Sequence, residues 1–126
     1  MNEESIRAIE EFKTVQRDTM PLASEYVAKL KNGVDMAINK FQSGENEEGI
    51  NLSSYIEEGL QWLIEVARLT KDVQYEEMSE ELMSKKLDMF VDAYENKDYT
   101  LMGDVLEFEI KPLLESWEKV INAAKC

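Results

Sequence analysis

Apolar residues recur along most of this chain at intervals of three and four, the spacing that lines one face of an α-helix. One stretch departs from the rule. In "LEFEIKPLLESW", residues 106 to 117, Leu106, Phe108 and Ile110 alternate with Glu107, Glu109 and Lys111, the pattern of a half-buried strand, before Pro112 interrupts it. A strand needs a partner, and no second stretch sustains such alternation. A longer row, Met102, Leu106, Ile110, Leu113, Trp117, Val120 and Ala124, steps by threes and fours straight through the proline, which predicts a helix. Pro112 lacks the amide that would bond the Phe108 carbonyl and its ring crowds that carbonyl, at a cost of about 3 kcal/mol, so a kink is expected near Phe108 to Pro112.

The same spacing places the other helices. Asp18 or Thr19 followed by Pro21 reads as a helix start, with the proline in the first turn where its missing amide is harmless. Ala23, Val27, Leu30, Val34, Ile38 and Phe41 form its buried face, and the helix ends at "QSGENEEG". The next segment carries Leu52, Ile56, Leu60, Leu63 and Ala67 on one row and Tyr55, Trp62, Val66 and Leu69 on another, which marks it as the most central helix. Asp72 is the expected cap of a following helix with Tyr75, Met78, Leu82, Met83, Leu87, Phe90, Val91 and Tyr94, and Asp98 caps the last one after the turn "ENKD". Residues 3 to 17 read as a separate, weaker amphipathic helix, a candidate flap, with Ile6, Ala8, Ile9, Phe12 and Val15 spread around it. Short connections favour antiparallel neighbours. The expected fold is all-α, an up-and-down antiparallel four-helix bundle with an additional short N-terminal helix, in one domain spanning residues 1–126.

Composition narrows the function. The 126 residues carry 27 Asp and Glu against 14 Lys and Arg, a formal charge of −13 spread along the chain. Such a surface repels phosphate backbones and anionic lipid, which argues against nucleic acid and membrane partners. The one cysteine, Cys126, excludes an intrachain disulfide; with no export signal or membrane-length apolar run in the sequence, the expected location is cytoplasmic. The absence of histidine removes the commonest general base and the Glu-x-x-His pairs of di-iron bundles. No catalytic residue, metal ligand or cofactor is therefore expected. Glu58, Trp62, Glu65 and Leu69 share a helix face on which a buried acid pair is conceivable, but solvated acids beside a partly buried tryptophan are the plainer reading. Glu76, Glu77, Glu80 and Glu81, relieved by Lys85 and Lys86, read as a solvated acidic face.

Gly33, Gly59 and Gly103 fall inside predicted helices, where each costs about 1 kcal/mol relative to alanine. Close helix crossing is the ordinary reason, and a groove that admits a partner's backbone is the other. Met36, Met78, Met83, Met89 and Met102 read first as core filler and second as a pliable binding surface.

A proline-started helix containing "LKNG" (Leu30 to Gly33), a long central helix and a final helix ending "LLESWEKVI" make the chain resemble the flagellin export chaperones over residues 18 to 121. The resemblance implies a small acidic bundle that holds a secretion client in extended form on its surface. Asn32 and Lys31 stand where that family carries the aspartate and tyrosine of "LYDG". The chain looks equally like the uncharacterised helical families of Gram-positive bacteria, in which the fold would exist without the chaperone role. The expected function is non-enzymatic protein binding, with an amphipathic client helix held in an apolar groove; the alternative is a homo-oligomeric structural or regulatory protein. Either way the partner is a protein or a second copy. The residues expected to carry that contact are Leu30, Gly33, Tyr55, Gly59, Trp62, Val66 and Leu69, which sit on the surplus apolar rows.

Overall fold

The structure, a computed structural model, describes residues 2–124; Cys126 lies outside them. Those residues form helices and turns and contain no strand, so the alternation at Leu106 to Ile110 belongs to a helical segment. Helix α1 spans Glu3–Gln42, α2 Asn46–Leu69, α3 Glu80–Glu95, α4 Tyr99–Asp104 and α5 Lys111–Ala123. A short 3-10 turn, Lys71–Val73, precedes the loop to α3, and a π-helical segment, Val105–Ile110, joins α4 to α5 in one helical rod. The four rods form a bundle in which α1 packs against α2 and the last rod, and α3 against the same two.

The N-terminal helix is not separate. Asn2 caps α1, its side chain accepting from the Ser5 amide at 2.8 Å, and the helix runs on through Pro21. A cap at Asp18 would have broken a core row that begins earlier. Gln16, Met20, Ala23, Val27, Leu30, Val34, Ala37 and Phe41 alternate steps of four and three and are all buried. Met20 and Ala23, on either side of Pro21, anchor the helix while the ring itself faces solvent. Burial of Met20, with the Gln16 hydrogen bonds to Leu69 and Asp72, offsets the roughly 3 kcal/mol that an interior proline costs. The most central helix is accordingly α1, which touches every rod of the bundle but α3 extensively, rather than α2.

The disruption expected near Phe108 to Pro112 takes the form of a π turn. The Lys111 amide donates to the Leu106 carbonyl, five residues back, and Pro112 falls in the first turn of α5. There a missing amide has no helical partner to lose. Asp72 does not cap a helix. It accepts instead from Gln16, and α3 begins later at a Ser79 cap that accepts from the Leu82 amide at 3.1 Å. Between them Gln74 holds the loop, donating to the Ala67 carbonyl at 2.8 Å and accepting from the Met78 amide at 3.0 Å. Asp98 caps α4 as expected, accepting from the Leu101 amide at 3.1 Å.

The core gathers Leu30, Ile56, Leu60, Leu63, Met83, Phe90, Met102, Leu106, Ile110, Leu114 and Trp117, all nearly or wholly buried. Met78, Met83 and Met102 are core filler, whereas Met36 and Met89 are exposed. Lys31 of "LKNG" donates to Glu118 of "LLESWEKVI" at 2.9 Å and ties α1 to α5. None of the helices is long and apolar enough to cross a membrane.

Candidate functional site

Helix α1 carries a second apolar row beside its core row. Ala8, Phe12, Val15, Thr19, Leu22, Tyr26, Lys29, Gly33 and Met36 also advance by alternating fours and threes. This row stays open. Phe12, Val15, Leu22 and Met36 are exposed, Leu22 at 59%. Where the row passes α2 it meets Tyr55 and Trp62, exposed at 40% and 38%, and the two helices enclose an open groove of about 370 Å³ lined by Leu22, Glu25, Tyr26, Lys29, Glu58 and Trp62.

The floor of the groove is built by two glycines. A Cβ on Gly59 would lie 2.7 Å from the Tyr26 hydroxyl oxygen and 2.9 Å from Leu30 Cδ1; one on Gly33 would lie 3.2 Å from Tyr55 Cε1. Each helix thus offers a glycine to the other helix's tyrosine. These contacts fit the close helix crossing expected of the glycines, with a tyrosine ring lying over each. Tyr26 sits at the centre, edge-on to Trp62 with ring centroids 5.2 Å apart and tilted against Tyr55 at 6.3 Å. Such edge-on geometry sets a positive ring edge against a negative face and fixes the rings relative to one another. Burial raises the Tyr26 phenol above its ordinary pKa of 10.0, and the neighbouring Tyr55 and Glu58 add to the effect.

Of the residues expected to bind, Trp62 lines the groove, Tyr55 is exposed beside it against Tyr26, and Leu69 is half-buried further along α2. Gly33 and Gly59 lie beneath the rings, while Leu30 and Val66 are buried in the core and support the site from behind. Leu22 and Tyr26 escaped the sequence reading. Their signal is the second four-three row of α1, whose arm end becomes legible only once α1 is known to run through Pro21.

The rim is charged and unsatisfied: Glu25, Lys29 and Glu58 make no ion pair among the described residues. Glu65 turns away to Arg68 at 2.5 Å, so no buried acid pair forms beside Trp62. In the acidic run Glu81 pairs with Lys85 at 3.7 Å as expected, while Glu80 pairs with Lys71 at 2.9 Å and Lys86 with Glu109 at 2.5 Å. Among the described residues no group of three or more His, Cys, Asp or Glu side chains is placed to hold a metal ion. What the groove offers chemically is apolar contact, aromatic faces and rim carboxylates.

Before α1 reaches the bundle it projects as an arm. Every residue from Glu3 to Val15 is exposed, including Ile6, Ile9, Phe12 and Val15 at 42–49%. The bundle begins at Gln16, whose Nε2 donates to the Leu69 carbonyl at 3.0 Å and to Asp72 Oδ1 at 2.5 Å.

Neither a curated protein nor a solved structure matches the chain. Residues 18–120 match a family described as a domain of unknown function, DUF8042, a match that starts where the arm meets the bundle and covers the groove and the whole core; the chain belongs to that family.

Proposed function

We propose that the protein is a non-enzymatic helix-binding bundle whose α1/α2 groove takes the apolar side chains of an amphipathic partner helix. The observation that carries this reading is the patch of exposed Leu22, Tyr55 and Trp62 around half-buried Tyr26, packed over Gly33 and Gly59. A helix lies in such a groove by dropping residues at spacings of three and four between the walls. Aromatic side chains lose few torsions on binding and supply large contact areas, which makes them effective anchors. Rim acids Glu25 and Glu58, on a chain of charge −13, favour a partner with basic residues flanking its apolar face.

The likeness to the flagellin export chaperones is one specific form of this proposal, with a secretion client as the partner. Tagged protein and its Trp62→Glu variant, each used for capture from the source organism's lysate at low and high salt, provide the test. A single client held by the unmodified protein at high salt and lost by the variant supports the groove; flagellin as that client supports the chaperone form. Equal recovery by both proteins overturns the proposal.

A further inference from the structure

We propose that the occupant of the groove, in the absence of another partner, is the N-terminal arm of a second copy, so that two chains exchange arms about a two-fold axis. This rests on the groove being a helix-binding site. Three observations point to the arm as its ligand.

The first is the continuity of one row. Ala8, Phe12 and Val15 on the arm and Leu22, Tyr26 and Gly33 on the groove wall lie on the same four-three row of α1. Two copies of α1 laid antiparallel through that row bring the arm of each onto the groove of the other. An axis near Gln16 and Arg17 sets Phe12 against the partner copy's groove at the level of Leu22 and Ala8 at the level of Tyr26. The two bundles then fall on opposite sides of the axis, each beside the other's arm.

The second is length. The arm from Glu3 to Val15 extends about 20 Å, and the groove wall from Leu22 to Gly33 about 17 Å, at a rise of about 1.5 Å per residue. A projecting helix of this length, with Phe12 and Val15 of the row in water, gains little from propensity alone and is stabilised by covering that row.

The third is charge. Within one or two residues of that register Arg7 comes beside Glu25 and Glu4 beside Lys29, pairing opposite signs along one side of the contact. Arg7 and Glu4, like Glu25 and Lys29, make no ion pair within their own chain among the described residues, while Lys31, Lys40, Arg68, Lys71, Lys86 and Lys111 all do. Residues 2–17 hold three cations against four acids, whereas the whole chain carries −13. The arm is therefore a segment that approaches the acidic bundle with little repulsion.

Arm exchange makes the second copy a competitor for any client helix. Client binding and dimer formation then oppose one another, and the groove is loaded in either state.

The test is the mass in solution of the full chain by light scattering, from micromolar to near-millimolar protein. The expected result is a monomer–dimer equilibrium that Arg7→Glu or Glu25→Arg alone weakens by about tenfold or more, since each change removes two symmetry-related pairs and creates like-charge contacts. Both changes in one chain restore it. The register is read separately in a Cys126→Ser background: a chain carrying Phe12→Cys and Leu22→Cys gives a disulfide-linked dimer on oxidation, and either substitution alone gives much less. Arg7, Phe12, Leu22 and Glu25 are all exposed, so substitutions there keep the fold. A monomer throughout the range, or a dimer indifferent to the charge changes and without the 12–22 cross-link, overturns arm exchange. A monomer whose client capture still depends on Trp62 leaves the groove reading intact, which separates the two failures.

Discussion

At the scale of single residues, the two groove glycines are not equivalent. Alanine gains about 1 kcal/mol over glycine in a helix, and that gain must be set against the space each Cβ meets. At Gly33 the neighbour is the edge of Tyr55, an exposed ring 3.2 Å away that swings outward easily, so Gly33→Ala is expected to be neutral or mildly stabilising. At Gly59 the contacts fall below 3.0 Å on both Tyr26 and buried Leu30, and overpacking of this kind costs about 1–3 kcal/mol, so Gly59→Ala is expected to be net destabilising. Urea denaturation of both variants checks the order. The two tryptophans separate in the same way. Trp117→Ala should cost about 3–5 kcal/mol because the side chain is 1% exposed, whereas Trp62→Ala should cost only about 1 kcal/mol, from its contact with Tyr26. Tyr26 carries a pH signature too. Its pKa is raised in the folded state, so the associated stability is fully present below pH 10.0 and is lost as pH rises through the folded value. Absorbance titration at alkaline pH should show one phenol ionising after the others, and Tyr26→Phe should remove that late step.

At the scale of elements, the chain disagrees with its own local signals at two prolines, and both times the core row decides. Pro21 resembles a helix start because aspartate and threonine precede it, yet Gln16 and Met20 already belong to the buried row, and the helix keeps going. Pro112 sits in a similar conflict, which the chain resolves by widening one turn into a π segment so that the proline falls at a new helix start. Pro21→Ala would restore an amide that can bond the Arg17 carbonyl, on an exposed face with nothing to repack. It should therefore stabilise α1 by about 1–3 kcal/mol, visible as a higher denaturation midpoint. The core rows of α1 beyond Pro21 and of α2, the Asp98 cap and the disturbance before Pro112 were legible from spacing alone, whereas Leu82 and Tyr94 of the α3 row are exposed and Leu114 takes the core position expected of Leu113. The start of α1 and the start of α3 were not, because the first depended on burial across Pro21 and the second on a Gln16–Asp72 hydrogen bond between residues 56 positions apart.

At the scale of the whole molecule, the sequence reading reached the candidate groove from the α2 side only. Tyr55, Trp62 and the glycines were legible because α2 carries more apolar positions than one bundle face can bury. Leu22 and Tyr26 were missed because a single row was counted on the helix beginning at Asp18, and the break placed there cut off the arm end of the second row. The same break concealed the tie between arm and groove, which exists only when α1 is a single helix. The assembled picture is of a bundle whose core consumes one face of α1 and leaves a parallel face, edged by α2 aromatics, open, and the proposal is that another helix covers it. Photo-cross-linking tests that most directly: a benzoylphenylalanine placed at Trp62 of the full chain in the source organism, with Met89, exposed on α3, as the control position. Strong helical adducts at position 62 and few at position 89, whether their mass is that of a second copy or of a client, are the predicted result. Equal yields at both positions, or none at position 62, would contradict a binding groove between α1 and α2.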